Sequence, residues 1–315
     1  MTTTQQSNTL SHKIDFAIII KVQNANPNGD PLNGNRPRTD YAGIGEMTDV
    51  CIKRKVRDRL MERYVDLKRE GQPIAGQAIF VQSDDRKIDG ETSLKNRAET
   101  ALGKDAFAKA TKEETAKRAC AEWFDVRAFG QVFAFKKADP KKSKAKKVDD
   151  TEEADAPVDA DGVSIPIRGP VSIHSAFSVE RVDVSSQQIT KSVNLEGDGS
   201  SRASDTMGMK HRVDHGIYRC VGSMNPQLAE RTLFSDADAE VVQKLLPRLF
   251  ENDVSSARPD GSMRVLKVIW WAHNCKSGQY SSARVHESLK VNSDGSYYID
   301  RDATPGLEVK EIDGF

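Results

Sequence analysis

Asparagines alternate with other residues in a short stretch near the amino terminus, with the spacing of a calcium-binding loop. Asn24, Asn26 and Asn28 precede Gly29 and Asp30 in the run QNANPNGDPLNGNRPRTD. An EF-hand loop counted from the first asparagine needs a bidentate glutamate at its twelfth position. That position holds an asparagine, and a single aspartate brings too little negative charge for a hard dication. The stretch therefore predicts no calcium site.

Two arginines, Arg36 and Arg38, follow the asparagines directly and favour an anionic partner for this loop. A guanidinium group forms paired hydrogen bonds with phosphate, and neighbouring amides add further donors. Lys53 and Lys55 place more positive charge beside the apolar stripe of the helix that comes next. A solvated helix face is the ordinary interpretation of such lysines. The pattern favours phosphate binding, and a turn-rich surface loop without a ligand is the alternative.

Other residues that could carry catalysis lack the partners that catalysis needs. His211 and His215 have zinc spacing only if their segment is helical, and the flanking glycines favour a hairpin. Asp125 beside Arg127 is more typical of a structural ion pair, and an isolated His174 of a structural histidine. A hydrolase needs a nucleophile with its base, or a metal cluster. We therefore expect no catalytic residue, no metal and no cofactor.

The composition is that of a polar, soluble protein. Of the 315 residues, 30% are charged, 37% are hydrophobic and only 6% are aromatic, and 47 basic residues balance 47 acidic ones. A net charge of zero argues against a uniformly basic nucleic-acid binder, but it allows a local basic face. The four cysteines stand too far apart for zinc spacing. The first residues lack the apolar core of a signal peptide, so we expect a cytoplasmic protein.

The elements that must position these residues follow from periodicity. Apolar residues predict core strands over 14–22 and 264–274. Stripes at helical spacing predict helices over 49–70 and 235–252. Further strands are predicted over 77–83, 123–135 and 163–177. Without its insertions the order is βαββαβ, an α+β arrangement of the ferredoxin-like or RNA-recognition-motif type.

Three insertions interrupt this order within one domain over residues 1–315. Residues 84–120 are polar and helix-prone. Residues 136–162 contain a lysine block and then an acidic block with almost nothing apolar, which predicts a flexible charged segment. Residues 178–215 contain two polar arms around a Gly-Asp-Gly-Ser turn. Neither arm is apolar enough to lie in the core, so we expect a projecting β-hairpin.

Four motifs, which stand in order and cover most of the chain, together resemble a known family. They are NANPNGDP at 24–31, WFDVRAFG at 123–130, IRGPVSIHSAF at 167–177 and HGIYRCVGSMNP at 215–226. In this ordered combination the chain resembles the backbone subunit of the type I-C CRISPR Cascade, a Csd-type protein of the RAMP superfamily. The resemblance implies a palm with the RNA-recognition-motif fold. It also implies that 84–120 is a fingers-like insertion and that the hairpin is a thumb.

The resemblance implies a non-catalytic protein that binds a CRISPR guide RNA. Head-to-tail copies would stack along the guide, hold its sugar-phosphate backbone and leave its bases free to pair with target DNA. The other implied partners are a guide-processing cap subunit and the large and small subunits of the complex. The residues that we expect at the RNA are Asn24, Asn26, Asn28, Arg36, Arg38, Lys53, Lys55, Arg127, Arg168, Ser172, His174, Arg202, Met207, Lys210 and Arg212.

The hairpin has a specific role in this interpretation. Met207 and Met209 would act as apolar wedges between neighbouring bases, while nearby cations hold the phosphates. The low aromatic content fits a phosphate-binding surface better than an aromatic stacking platform.

Two other classes of function stay open on the sequence. One is a RAMP endoribonuclease that processes the guide precursor, with His174 or His211 as its base; RNA cleavage that is lost on His174→Ala would establish it. The other is a scaffold protein without RNA, which RNase-insensitive oligomers would support.

Overall fold

The computed structural model describes residues 9–103, 110–135, 163–190 and 207–315. These residues form a mixed α+β structure around a large antiparallel sheet. The first elements are β1 (Ile14–Ala25), β2 (Gly29–Asp30), β3 (Arg36–Pro37), β4 (Ile44–Met47), α1 (Asp49–Arg69), α2 (Leu94–Leu102), α3 (Lys112–Glu122), α4 (Phe124–Phe129) and β5 (Gly130–Phe135). The middle elements are β6 (Val163–Arg168), β7 (Val171–Ile173), β8 (Ala176–Arg181), β9 (Val184–Thr190), β10 (Met207–Met224), α5 (Pro226–Thr232) and α6 (Asp236–Leu245). The last are β11 (Met263–Ala272), α7 (Ser282–Glu287), β12 (Leu289–Val291), β13 (Tyr297–Ile299) and β14 (Glu308–Asp313).

Strand β1 lies at the centre of the main sheet. It pairs antiparallel with β10 on one edge, from Ile14 opposite Met224 to Ala25 opposite Val213. It pairs antiparallel with β11 on the other edge. The outer strands complete the order β14-β11-β1-β10-β8-β4, and β7 and β9 also pair with β10. The two predicted core strands are therefore confirmed as the central pair β1 and β11.

Both faces of β1 are covered. On one face Phe16, Ile18 and Ile20 lie in the main core with apolar residues of α1, α5 and α6. On the other face Ala17 packs in a smaller cluster with Trp271 and with residues of α7, β12 and β13. Since the second face is closed by the carboxyl-terminal segment, the broad surface of the sheet is not available to a ligand at its centre.

The second face also contains a buried carboxylate. Asp15 on β1 lies 2.9 Å from Nε2 of His273 and 3.2 Å from Nζ of Lys13. Burial acts to raise the pKa of Asp15, but hydrogen bonds from His273 and Ser282 and the charge of Lys13 lower it on balance. The cover of this face is therefore attached to β1 through a charged group as well as through apolar contacts.

Helix α1 spans nearly the predicted residues. Thr48 caps it by accepting a hydrogen bond from the backbone N–H of Cys51, 3.2 Å away. Its apolar stripe is buried at Ile52, Val56 and Leu60. The predicted helix over 235–252 is α6 followed by a short 3-10 turn, since Pro247 cannot continue the α-helical hydrogen-bond pattern. No helix in the described parts of the chain is both long and apolar enough to cross a membrane.

Asp125 connects the insertion to α1. Its carboxylate accepts hydrogen bonds from the backbone N–H of Phe80 at 2.7 Å and of Val81 at 3.1 Å. It also accepts one from Nε of Arg57 on α1 at 2.9 Å. Around this point α2, α3 and β5–β6 enclose a second apolar core that includes Trp123. The helix-prone nature of 84–120 is thus confirmed by α2 and α3.

Of the strands predicted from the sequence, the one over 77–83 is wrong, and the one over 123–135 is correct only in its second half. Residues 77–83 form no strand apart from a bridge between Ala78 and Trp123, because Asp125 takes the backbone donors that a neighbouring strand would have taken. Residues 123–135 begin as helix α4 and become strand only at β5. The helix is buried on all sides from Phe124 to Ala128, so its sequence shows no polar face and looks like a buried strand.

The predicted hairpin is confirmed in its arms. Strand β9 pairs with the first part of β10, from Thr190 opposite Met207 to Val184 opposite Val213. We call β9 and residues 207–213 the ribbon. Val213 is buried in the main core, whereas the ribbon residues beyond it are exposed or half-buried. The hairpin tip, with Lys191 and Arg202, and the charged segment 136–162 lie outside the described residues.

Replacing Asp125 with alanine should destabilise the protein strongly. The change leaves the half-buried guanidinium of Arg57 and two backbone N–H groups without their acceptor. Breaking one side of a buried ion pair costs about 3–5 kcal/mol in the free energy of unfolding. Urea denaturation followed by circular dichroism measures this loss.

The matched control is Asp66→Ala, which breaks an exposed ion pair between Asp66 and Arg69. Both residues lie on α1, the helix that also carries Arg57. Exposed pairs of this kind contribute about 0–1 kcal/mol. A loss below about 1 kcal/mol for Asp125→Ala would contradict the anchoring role.

Candidate nucleic-acid interface

The loop over residues 24–38 is an ordered structure fixed to the start of α1. Oδ1 of Asn28 accepts hydrogen bonds from the backbone N–H and the hydroxyl of Thr48, at 2.9 and 3.0 Å. The side chain of Asn26 donates to the carbonyl of Asn35 at 2.7 Å and closes the loop across the short β2–β3 pair. Asn24 adopts a φ of 53°, a left-handed conformation that asparagine tolerates better than most residues. We call residues 24–38 the asparagine loop.

Arg36 joins the asparagine loop to the ribbon. Its Nη1 donates to Oγ of Ser186 on β9 at 3.0 Å. The same Oγ lies 2.9 Å from Nδ1 of His211, the residue directly opposite on β10. A guanidinium, a hydroxyl and an imidazole, all at least partly accessible, therefore converge where the loop meets the ribbon. The structure brings together two segments that are about 150 residues apart, as the separation of Arg36 and Ser186 shows.

The two faces of the ribbon carry different chemistry. Residues opposite one another on paired strands share a face, and successive residues alternate between faces. Met207, Met209 and His211 therefore lie on one face, while Lys210 and Arg212 lie on the other with Ile189. Met207 and Met209 are 65% and 56% exposed, although large apolar side chains usually find cover. The two exposed methionines and the two cations of the ribbon therefore lie on opposite sides.

The other positive groups near the loop are partly shared with carboxylates. Arg38 lies 3.4 Å from Asp30 inside the asparagine loop, and both are half-buried. Lys53 on the first turns of α1 donates to Asp49 at 2.9 Å, and this hydrogen bond lowers the pKa of the Asp49 carboxyl group. Arg212 lies 3.4 Å from Asp214. These cations are accessible to a phosphate, but they are oriented by the protein before any ligand arrives.

Three of the residues expected at an RNA surface do not fit that role in the structure. Lys55 is buried and forms an ion pair with Asp253. Arg127 is buried and donates to both oxygens of Asp238, at 2.9 and 3.0 Å. Asn26 is buried inside its own loop. The charges of Lys55 and Arg127 and the side-chain N–H of Asn26 have internal partners, so we remove all three residues from the candidate surface.

A second group of expected residues lies at the far end of the sheet. Arg168, Ser172 and His174 are exposed on or beside β6 and β7. Strand β7 pairs with β10 at Gly222, whereas the asparagine loop lies near Val213 of the same strand. Nine residues of extended chain separate these positions, which is about 30 Å. The predicted residues therefore form two separate groups rather than one site, and Arg202 lies outside the described residues.

The histidines do not form a metal site. His211 and His215 lie on strand β10, where a separation of four residues places them about 13 Å apart, too far to share one ion. Within the described ranges no group of three or more His, Cys, Asp or Glu side chains could hold a metal. The ring of His174 lies 6.2 Å from that of His286, and no side-chain hydrogen bond of His174 is found among these residues.

Sequence reasoning missed the role of Ser186. A serine in a polar hairpin carries no signal by itself. Its role follows only from the strand register, which sets it opposite His211 and beneath Arg36.

Comparison with known proteins gives the family. The model of the family described as CRISPR-associated protein Cas7 matches residues 12–307. A Haloferax volcanii protein named CRISPR-associated protein Cas7 is 27% identical over 295 residues, which cover 91% of this chain and 78% of that protein. A chain in a solved "CRISPR RNA-guided surveillance complex, pre-nicking" is similar at a TM-score of 0.46 and 18% identity, covering 82% of this chain and 75% of that one. A chain in another "CRISPR RNA-guided surveillance complex" gives a TM-score of 0.44 and 16% identity, covering 90% of this chain and 77% of that one. Because the family model spans nearly the whole sequence, this chain belongs to the CRISPR-associated protein Cas7 family.

Proposed function

We propose that this chain is a guide-RNA-binding backbone subunit of a type I-C Cascade. Copies of it polymerise head-to-tail along the guide and present the bases for pairing with target DNA. The observation that carries the proposal is the junction at Ser186, where the asparagine loop and the ribbon form one polar surface that contains the guanidinium of Arg36, in a Cas7-family chain. A guide of arbitrary sequence must be held through its backbone, and this surface offers donors and cations rather than a base-reading pocket.

The strand order supports a palm of the ferredoxin-like type. Among the central strands the order is β11-β1-β10 followed by β7 and β8, all antiparallel. Helix α1 connects β1 to the β7–β8 side, and α5 and α6 connect β10 to β11. That is the βαββαβ arrangement. In this assignment the insertion that contains α2 and α3 is the fingers, and the ribbon is the thumb.

The ribbon is suited to a neighbouring subunit and the RNA between them. It leaves the main core at Val213, and its Met207 and Met209 are more than half exposed among the described residues. A contact from one subunit's ribbon to a different surface of the next is heterologous, so it propagates as an open helical filament. The guide-processing cap subunit and the large and small subunits then bind to the filament, and the assembly works in the cytoplasm.

We propose no catalytic role for this subunit. The endoribonuclease alternative needs a histidine with a tyrosine or lysine partner near a scissile phosphate. His174 is exposed, yet its described neighbour is the ring of His286. No described observation favours that alternative over guide binding, and the protein needs no cofactor for the function proposed.

RNA binding should be sensitive to salt and tolerant of sequence. Three to four phosphate contacts per subunit give a slope of log K against log salt of about −2 to −3 per subunit for a single strand. The double variant Lys210→Ala, Arg212→Ala should reduce this slope by about 1.4. Filter binding at several salt concentrations, with guides of equal length and unrelated spacers, measures both quantities.

The matched control is Lys244→Ala, which removes an exposed lysine from α6. Its slope should equal that of the wild type. A preference of more than about 3 kcal/mol between two spacers would contradict backbone binding, because that is the scale of direct base readout.

Removing the ribbon should abolish assembly without unfolding the palm. Val184 and Val213 are paired, so an Asn-Gly turn can join them in place of residues 185–212. We expect a folded monomer that binds short RNA weakly and forms no filament on a full guide. Sedimentation velocity with guide RNA measures the assembly, and circular dichroism confirms the fold.

A milder variant, Met207→Asp with Met209→Asp, keeps the ribbon and changes only its apolar face. Because both side chains are exposed, the substitutions should leave the stability of the monomer unchanged and still weaken assembly. Full-length filaments formed by both variants would show that the ribbon is not the thumb.

A further inference from the structure

We propose that Tyr41 stacks on a nucleobase of the bound RNA and that Arg181 holds the phosphate next to it. This inference rests on the proposed RNA binding and assigns a contact to residues outside the predicted set. It concerns the turn over residues 40–44, which follows the asparagine loop and leads into β4.

The turn presents Tyr41 from a fixed backbone. Oδ1 of Asp40 accepts hydrogen bonds from the backbone N–H groups of Ala42 and Ile44, both at 2.9 Å. The backbone N–H of Asp40 donates to the carbonyl of Ile44 at 2.9 Å, and that of Gly43 donates to the carbonyl of Asp40 at 3.1 Å. The Tyr41 side chain, with a relative exposure of 112%, is fully open to solvent. Four such hydrogen bonds already order the turn. A ligand that binds the exposed ring would therefore cause little further loss of backbone entropy.

Arg181 lies directly beside this turn. Arg181 is paired with Ile44 in the β4–β8 ladder. The next residue, Val182, donates its backbone N–H to the carbonyl of Gly43 at 3.0 Å. The arginine side chain crosses over Gly43, where a Cβ atom would stand 2.9 Å from its Nε. Gly43 also has a φ of +83°, so glycine is favoured there for two reasons. The same turn thus carries the exposed ring of Tyr41 and packs beside the cationic side chain of Arg181.

The guanidinium of Arg181 is available to a ligand. The residue is exposed, and within the described ranges it has no ion pair and donates no side-chain hydrogen bond. By contrast, the carboxylate of Asp40 in the same turn is occupied by two backbone donors. A free cation beside a free ring is the combination that single-stranded nucleic acids use, with the base on the ring and the phosphate on the cation.

The position of the pair agrees with the proposed RNA surface. Arg36 on β3 reaches the ribbon at Ser186, and the turn that follows β3 reaches Arg181 just before the ribbon begins. Tyr41 and Arg181 therefore lie at the base of the ribbon, on the loop-bearing edge of the sheet. Stacking accepts every base, since every base has a π face, so this contact suits a guide of arbitrary sequence.

A nucleic acid fits Tyr41 better than a protein neighbour does. Protein interfaces are marked by contiguous apolar patches. The neighbours of Tyr41 in the chain are an aspartate and an alanine, and the side chain beside the turn is an arginine. A single ring in polar surroundings can stack on one base without needing an apolar patch around it.

The test compares three variants in binding to a short unstructured RNA that carries 5-iodouridine for photocrosslinking. Tyr41→Ala should weaken binding about tenfold, within the range measured for the loss of one stacked base, and Tyr41→Phe should stay within about twofold of the wild type. Arg181→Ala should reduce the salt slope by about 0.7, whereas Tyr41→Ala should leave the slope unchanged. Mass spectrometry of the irradiated wild-type complex should place a crosslink at Tyr41.

The control variant is Tyr298→Ala, which removes another exposed tyrosine, on β13. The β12–β13 pair is tied to β14, at the opposite edge of the sheet from β4, through the hydrogen bond between Tyr297 and Glu311. This variant should bind RNA as the wild type does. Since Tyr41 and Tyr298 are both exposed, circular dichroism should show native folds for both alanine variants.

The outcomes separate this inference from the proposed function. If the wild type binds RNA and Tyr41→Ala binds it equally well, the stacking inference is overturned and guide binding stands. If Tyr41→Ala binds short RNA normally and fails only to assemble on a long guide, Tyr41 contacts a protein neighbour and the inference is again overturned. If the wild type binds no RNA, both proposals fail.

Discussion

The double burial of β1 is the constraint on which the rest of this structure depends. The strand is paired on both edges and covered on both faces, by the helices on one side and by the carboxyl-terminal segment on the other. A buried polar group must find a partner inside the protein, so a solvent-facing binding surface cannot lie along the buried part of this strand. Binding chemistry is therefore displaced to the segments that leave the sheet, which are the asparagine loop, the turn before β4 and the ribbon.

Those segments are ordered because each is fixed to a well-packed element. Asn28 ties the asparagine loop to the capping threonine of α1, and Arg36 ties it to Ser186 on the ribbon. The insertion is attached in a similar way, in part through the carboxylate of Asp125. In each case a polar side chain makes the connection. The protein thereby holds long polar segments in place without extending its apolar core into them.

The sequence predicted the elements that carry a clear period or a cap. The central strands, α1, the helix after Ser235 and the arms of the hairpin all follow from such signals. It failed where burial depends on partners that are distant in the chain. Lys55 looks like a surface cation and Arg127 like the partner of neighbouring Asp125, yet they pair with Asp253 and Asp238, which lie 198 and 111 residues away. No local sequence pattern indicates such distant partners. No local pattern indicates the role of Ser186 either, because that role depends on strand register.

The register of β10 against β1 determines the side of the ribbon on which each residue of β10 lies. The residues of β10 that pair with β1 continue without interruption into the ribbon. A shift of one residue in a strand's register exchanges its two faces. Had β10 settled one residue out of register against β1, the methionines and the cations of the ribbon would have exchanged sides. The packing of β10 in the main core therefore determines which side of the ribbon carries the methionines and which side carries the cations.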